Sequence, residues 1–284
     1  MKALDFVYEN EEPISVQTFL MKHHGVSRRL LKSLKRRENG ITLNGSHVRS
    51  IDMVHKGDTV SIQLEDTVRL DANPELYAEV AFENDSLVIY NKPAGMPVHP
   101  SILHRNDTLG NCFSAMYPGL TFRPVHRLDM YTSGLCMVAK DAHAASCLQG
   151  SFRKLYYAAV QGMIPESGEI NAPIARMQDS IITRCVREDG KAALTKFRRI
   201  ASNDKYSLAE VIPVTGRTHQ IRVHFAYKGH PLAGDDFYGG DLSDISRPAL
   251  HCGEMTFTDP VSGQDITVRS ALPEDMAALF KEEL

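Results

Sequence analysis

Apolar positions along this 284-residue chain change period part-way. Residues 1–64 open with helical steps of three and four. Ile14, Phe19 and Leu20 space a helix over 14–23, and Ser27 can N-cap a second helix to about Arg37 that turns Leu30, Leu31 and Leu34 inward. Ile41-Thr-Leu, an Asn44-Gly45 turn, His47-Val48 and the alternating run Thr59–Leu64 then predict hairpin strands. A polar stretch over 65–79, containing Asn73-Pro74, reads as a linker. Beyond it strands dominate: two around a turn at Glu83–Ser86, the apolar run GLCMVAK after Ser133, then 154–160, hairpin material over 165–200 turning at Glu188–Gly190, and 206–212. Two more strands and a short helix end the chain. Helices are expected over 108–116, over 142–152, and from a Thr218 cap to about Lys228. Many strands, few helices and antiparallel connections make an α+β protein. The expected division is a small domain over 1–64, a linker over 65–79 and a large domain over 80–284.

Composition narrows the partners. With 43% hydrophobic and 24% charged residues, and no apolar run long enough to span a bilayer, the chain reads as globular, with no membrane and a cytoplasmic location. Five scattered cysteines without a CxxC pair suggest reduced thiols. A net charge of −3 speaks against a uniformly basic nucleic-acid binder. The local distribution differs, because Lys22, Arg28, Arg29, Lys32, Lys35, Arg36 and Arg37 fall between Met21 and Arg37 with no acid among them. A solvated helix face explains the leucines beneath but not the single sign of the charge, since ordinary helix surfaces mix signs.

The candidate chemistry centres on Asp129, in the polar turn of PVHRLDMYTSGL ahead of the GLCMVAK strand. A carboxylate beside rigid structure suits catalysis. An Asx-type turn closed on Thr132 and Ser133 would explain the same residues. Farther on, His219 and Arg222 share one face of the predicted third helix, with Arg217 ahead of its start. His219, His224, His230, Asp235 and Asp236 lack any compact ligand spacing, so no metal is expected. Rossmann and phosphate-loop fingerprints are absent as well, so no cofactor is expected.

The string HRLDMYTSGL resembles, at all eight defined letters, the signature HRLDxxTSGL of the RluA-type family of RNA pseudouridine synthases. NKPAGMPVHP, KLYYAAVQG, TGRTHQIRVH and GHPLAGDDFYG are similar to further motifs of that family. Two helices followed by ITLNG and KGDTVSI resemble the αL RNA-binding domain named after ribosomal protein S-four. The resemblance implies a mixed, largely antiparallel central sheet with a cleft across it. It further implies a cofactor-free isomerase, working as a monomer, that converts specific uridines of structured RNA to pseudouridine, ribosomal RNA being favoured over transfer RNA. Asp129, Arg222 and Tyr156 match the family's catalytic acid, its arginine partner and the active-site tyrosine. Arg127, His126, Lys92, Arg217 and His219 are expected at the substrate. Arg28, Arg29, Lys32, Lys35, Arg36 and Arg37 are expected to hold RNA.

Plainer readings stand beside several of these. Lys92 touches phosphate or caps its loop, a strand tyrosine is often core, and Arg127 could form a surface ion pair with Asp129. For the whole chain the alternatives are a non-catalytic RNA-binding factor and a glycoside-type hydrolase. The first leaves Asp129, Tyr156 and Arg222 without a reason to occur together, and the second normally needs two positioned carboxylates.

Overall fold

A computed structural model describes residues 2–66, 69–178, 180 and 182–281. Thr67 and Val68 of the expected linker, Asp179 and Ile181 of the expected hairpins, and the chain's first residue and last three lie outside it.

Near the N-terminus, Ser15 caps the first helical segment through the amide of Thr18, and the turn widens into a π-helix over Phe19–His23. This segment starts later than its apolar spacing predicts, because Ile14–Ser15 pairs as a strand with Met53–Val54. Ser27 accepts from the amide of Leu30 and caps the helix Arg28–Leu34, which buries Leu30, Leu31 and Leu34. Asn44 (φ 50°) and Gly45 (φ 81°) turn the hairpin between Ile41–Leu43 and Ser46–His47. Thr59–Leu64 lies between Ile41–Leu43 and a strand the sequence pattern did not single out, Lys2–Val7. Phe19, Leu20, Leu34, Ile41, Val60 and Ile62 close a core of their own. The segment 69–79 has neither helix nor strand beyond the first residue of Glu79–Glu83, yet Leu70 and Leu76 pack on the larger core and Asn111 Nδ2 donates to the Asp71 carbonyl at 2.8 Å.

The larger part is built on a ten-stranded sheet. Its main path runs Ser167–Asn171, Leu194–Ser202, Tyr206–Pro213, Phe152–Gln161, Leu250–Thr258, Ser133–Ala139, Leu87–Lys92 and Glu79–Glu83. Neighbours are antiparallel except Ser133–Ala139 and Leu250–Thr258, which run parallel and pair through Ser133 with His251 and Gly134 with Cys252. The sheet is therefore mixed and largely antiparallel, and every residue of Ser133–Ala139 is buried in its middle. Helix Leu109–Met116, with a Thr108/Asn111 capping box, and helix Ala142–Leu148, capped by Asp141, flank it. The smaller part rests on the second of these: Lys2 Nζ lies 2.7 Å from Asp141, and the His143 ring nitrogen 2.6 Å from the His24 carbonyl.

The parallel contact dictates one residue. Gly134 has φ 105°, and a Cβ there would lie 2.3 Å from the Cys252 carbonyl oxygen, so only glycine lets the two strands approach. Next to it, the His251 ring bridges Ser133 Oγ at 2.9 Å and Ser270 Oγ at 3.1 Å, and Ser270 donates to Asn91 Oδ1 at 3.0 Å. That direction makes His251 Nε2 the donor and leaves Nδ1 to accept from Ser133, a neutral ring. Burial, helped by Arg247, lowers its pKa to about 4. A histidine with a depressed folded pKa supports the fold fully above its unfolded value near 6.5 and loses that support as pH falls towards 4. We expect the Tm to drop between pH 6.5 and 4 and the drop to be shallower in His251→Gln; a wild-type slope in that variant, by differential scanning fluorimetry, would refute the assignment.

Candidate active site

Asp129 sits in the turn that feeds the central strand Ser133–Ala139. The turn is closed through the backbone, the Thr132 amide donating to the Asp129 carbonyl at 3.1 Å, so the carboxylate is not spent on an Asx closure. Its side chain is 28% exposed at the floor of a cleft of about 450 Å³. That volume lies within the roughly 300–1,000 Å³ of ordinary ligand sites. The turn is held from behind by the loop after Leu87–Lys92. Lys92, expected at the substrate, is fully buried instead. Its ammonium donates to the carbonyls of Pro93 (2.8 Å), Met96 (2.8 Å) and Met130 (3.0 Å), and the Gly95 amide also donates to Met130. Three carbonyls compensate the desolvation of this buried cation, which therefore braces the turn.

The opposite wall of the cleft is the helix Gln220–Tyr227, which leaves the end of strand Tyr206–Pro213. Thr218 does not cap it. His219 occupies the N-cap with φ 56°, and Gln220 gathers the approach by accepting from Thr215 Oγ1 (2.7 Å) and the Arg217 amide (3.0 Å). The left-handed residue aims the imidazole into the cleft. Its Nδ1 lies 2.8 Å from the Tyr238 hydroxyl, which itself accepts from the Arg184 amide at 3.0 Å. The phenol and Nδ1 share one hydrogen bond, and Nε2 faces Asp129 Oδ1 at 3.8 Å. Burial, reinforced by Arg222, lowers the His219 pKa against the pull of Asp129 and Asp235, consistent with a neutral ring.

One turn on, Arg222 is 5% exposed and forked onto Asp235, which is fully buried: Nε lies 2.6 Å from Oδ2 and Nη2 2.7 Å from Oδ1. Its remaining Nη1 stands 3.5 Å from Asp129 Oδ2. Burial alone would lower the guanidinium pKa, but the Asp235 bonds and the Asp129 charge raise it, so the cation is permanent. Its plane also lies over the Tyr238 ring, 5.1 Å from the centroid.

Tyr156, on Phe152–Gln161, lies at a register shift and is buried against the cleft, whereas Tyr157 packs on the opposite side of the sheet. Burial raises the phenol well above its usual pKa, so it remains a neutral ring. His126 lines the floor with Nε2 3.3 Å from the Leu135 carbonyl, and burial, with Lys154 beside it, lowers its pKa to about 3. Arg127 projects exposed from the rim, and among the described residues the ion pair of Asp129 goes to Arg222, with the His219 ring 3.8 Å from its other oxygen. Arg217 is exposed too, its Nε tied to the Ala192 carbonyl at 3.0 Å. On the smaller part, Arg28, Arg29, Lys32, Lys35 and Arg36 lie along one helix and its end, but Arg37 turns back to Glu65 (3.7 Å) and the Gln63 carbonyl (3.2 Å).

Three contributors were not assigned from sequence: Asp235, Tyr238 and Lys154. The first two stand in GHPLAGDDFYG, where the spacing gives no sign that one acid would turn back onto the preceding helix. The other histidines of that region are structural, His224 bonded to Thr195 and the Ala172 carbonyl and His230 to the Gln161 carbonyl. Among the described residues no group of three His, Cys, Asp or Glu side chains is arranged to hold a metal ion, and no helix is long and apolar enough to cross a membrane. The cleft thus offers a partly exposed carboxylate, a fixed guanidinium, a neutral imidazole and an aromatic wall.

The family described as RNA pseudouridylate synthase matches residues 86–227, which hold Asp129, Tyr156 and Arg222. The Bacillus subtilis protein named "Uncharacterized RNA pseudouridine synthase YjbO" is 34% identical over 274 residues, covering 91% of this chain and 96% of its own. "Ribosomal large subunit pseudouridine synthase D" of Xanthomonas campestris is 34% identical over 262 residues, 84% of this chain and 79% of that one. Among solved structures, "Human RNA Pseudouridylate Synthase Domain Containing 1" superposes with a TM-score of 0.58 at 27% identity, over 69% of this chain and 83% of that one. With half of its length matched by the family and relatives aligned along most of the rest, the chain belongs to the RluA-type family of RNA pseudouridine synthases, enzymes of the isomerase class.

Proposed function

We propose that this enzyme isomerises specific uridines of structured RNA with Asp129 as its catalytic carboxylate. The observation that carries the reading is the placement of Arg222 Nη1 3.5 Å from Asp129 Oδ2 while Asp235 occupies the other edge of the guanidinium. Breaking the bond between uracil N1 and the sugar, rotating the base, re-forming the link through C5 with loss of the C5 proton to solvent and protonating N1 leaves the composition unchanged, so no redox partner or group donor is needed. Asp129 acts on the sugar, either by attack on the anomeric carbon as the base leaves or by assisting removal of a proton from the adjacent ring carbon. Arg222, 3.5 Å away through Nη1, orients the reacting oxygen.

A uridine inside folded RNA must first leave its stack, at a cost of a few kcal/mol. Arg127, exposed on the rim, is suited to fill the vacated place, and the Tyr156 ring to stack on the extruded base. His219, His126 and Arg217 complete the substrate contacts. Residues 1–64 serve as an RNA-binding domain of the ribosomal-protein S-four type, with Arg28, Arg29, Lys32, Lys35 and Arg36 against the backbone, ahead of the 65–79 linker and the catalytic domain over 80–284. Large-subunit ribosomal RNA is the favoured substrate, in line with the printed names of relatives in Xanthomonas campestris and Pseudomonas aeruginosa. The enzyme acts as a cytoplasmic monomer, and five unpaired thiols suit a reducing compartment. Mapping pseudouridines in ribosomal and transfer RNA from cells with and without the gene identifies the target, and loss confined to transfer RNA would overturn the ribosomal choice.

Asp129→Asn should lower kcat by roughly 10,000-fold or more while RNA affinity stays within about threefold, because it removes the reacting charge and almost no contact area. Turnover near the wild-type rate in a tritium-release assay would defeat the role. Asp235→Ala leaves a buried guanidinium without its main partner and should cost about 3–5 kcal/mol of stability. Arg222→Lys, which keeps the charge but loses the fork, should fold yet lose most of its activity. Wild-type denaturation midpoints for the first, or full turnover by the second, would show that the pair is dispensable.

A further inference from the structure

Beside the active cleft lies a second hollow of about 450 Å³ that the catalytic reading leaves without a task. The hairpin of Ile174–Arg176 and Arg184–Val186 walls one side, the Gly190–Lys191 turn another, and the loop Gly216–Thr218 separates it from the cleft while lining both. Its charge is positive on a chain whose net charge is −3. Arg176, Lys191 and Arg217 surround it, and among the described residues neither Arg176 nor Lys191 has an acidic partner. Among the described residues the acid on its rim is Asp189, already neutralised by Arg187, whose Nη2 donates to Oδ2 at 3.0 Å. Arg217 is tethered by Nε to Ala192, which directs the terminal nitrogens outward. A Cβ on Gly216 would meet nothing within 4 Å, and the amides of Gly216 and Thr218 have no acceptor among the described residues. Converging cations that no described acid neutralises, next to open backbone amides, are the chemistry of a phosphate seat.

We infer that this hollow holds the RNA backbone phosphates adjoining the target uridine, with Arg176 and Lys191 as binding residues. The inference rests on the proposed function, because the shared Gly216–Thr218 loop makes a strand whose base enters the cleft continue into the hollow. Its occupant is a phosphodiester backbone, and its contribution is to affinity and register, not to sequence.

The test uses the full-length protein, Arg176→Gln/Lys191→Gln, and in-vitro transcribed, unmodified large-subunit ribosomal RNA. Losing two phosphate contacts should flatten the slope of log K against log salt by roughly 1.4–1.8 and weaken binding about tenfold at low salt. KM for pseudouridine formation should rise by a similar factor with kcat within about twofold. Arg198→Gln, which removes an exposed charge paired with Glu210 outside the hollow, controls for net charge. A wild-type slope in the double variant, or an equal loss in Arg198→Gln, overturns the phosphate seat even if the wild-type enzyme modifies the RNA. A flattened slope with no pseudouridine formed by the wild-type enzyme supports the seat and overturns the catalytic reading.

Discussion

The geometry of the site depends on one guanidinium divided between two carboxylates. Asp235, fully buried, takes the Nε/Nη2 edge of Arg222, leaving Nη1 for Asp129 at 3.5 Å. Had Asp129 been the bidentate partner, both its oxygens would be committed and buried, and a committed carboxylate is a poor reagent. Because Asp235 fixes the cation independently, Asp129 receives an orienting charge and keeps an exposed face towards the cleft. The same pair ties the helix Gln220–Tyr227 to the segment after Ala233.

The rest of the fold delivers the turn to that charge. Lys92 and Gly95 hold Met130 from the loop side, and Arg247, clamped on Asp275, reaches the Tyr131 carbonyl at 3.4 Å. Gly134 lets the following strand run against Leu250–Thr258. The letters of HRLDMYTSGL are therefore divided in purpose: the acid faces the cleft, and the glycine serves the backbone that places it. Lys92 belongs with the second group, as a cation buried under three carbonyls.

How much of this was legible varied with the range of the interaction. The buried strand Ser133–Ala139, the Asn44-Gly45 hairpin, the Ser27 cap and the opposite facing of Tyr156 and Tyr157 follow from local pattern, because each is decided by close neighbours in the chain. Lys2–Val7 escaped because its partner, Thr59–Leu64, lies at the far end of the small domain and its own alternation is shallow. The start of the third helix was misplaced for a similar reason. Thr218 has the chemistry of a cap, but Gln220 bonds to Leu194 and Thr195 on a distant strand and forces His219 into the left-handed region. The part played by Asp235 could not be read from its spacing, because its bidentate pair with Arg222 exists only once the helix and the following loop have folded together.

On the proposed reading the reacting group is an anion and the substrate a polyanion, so the cleft must attract RNA without quenching the carboxylate. The solution here is graded burial. Nearest Asp129 stand Arg222, buried and permanently charged, and His219, which burial keeps neutral, as it does His126 in the cleft lining. Lys154, its pKa lowered by burial, forms part of the cleft wall, and the exposed cations Arg127 and Arg217 occupy the rim, where water screens them from the acid but a phosphate can still reach them. Many surface acids elsewhere are already engaged, as in Arg187 with Asp189, Arg198 with Glu210 and Arg269 with Glu254. On that reading, the cations of the cleft rim, with the basic helix face of the smaller part, let a chain of net charge −3 draw in RNA while one carboxylate stays free to react.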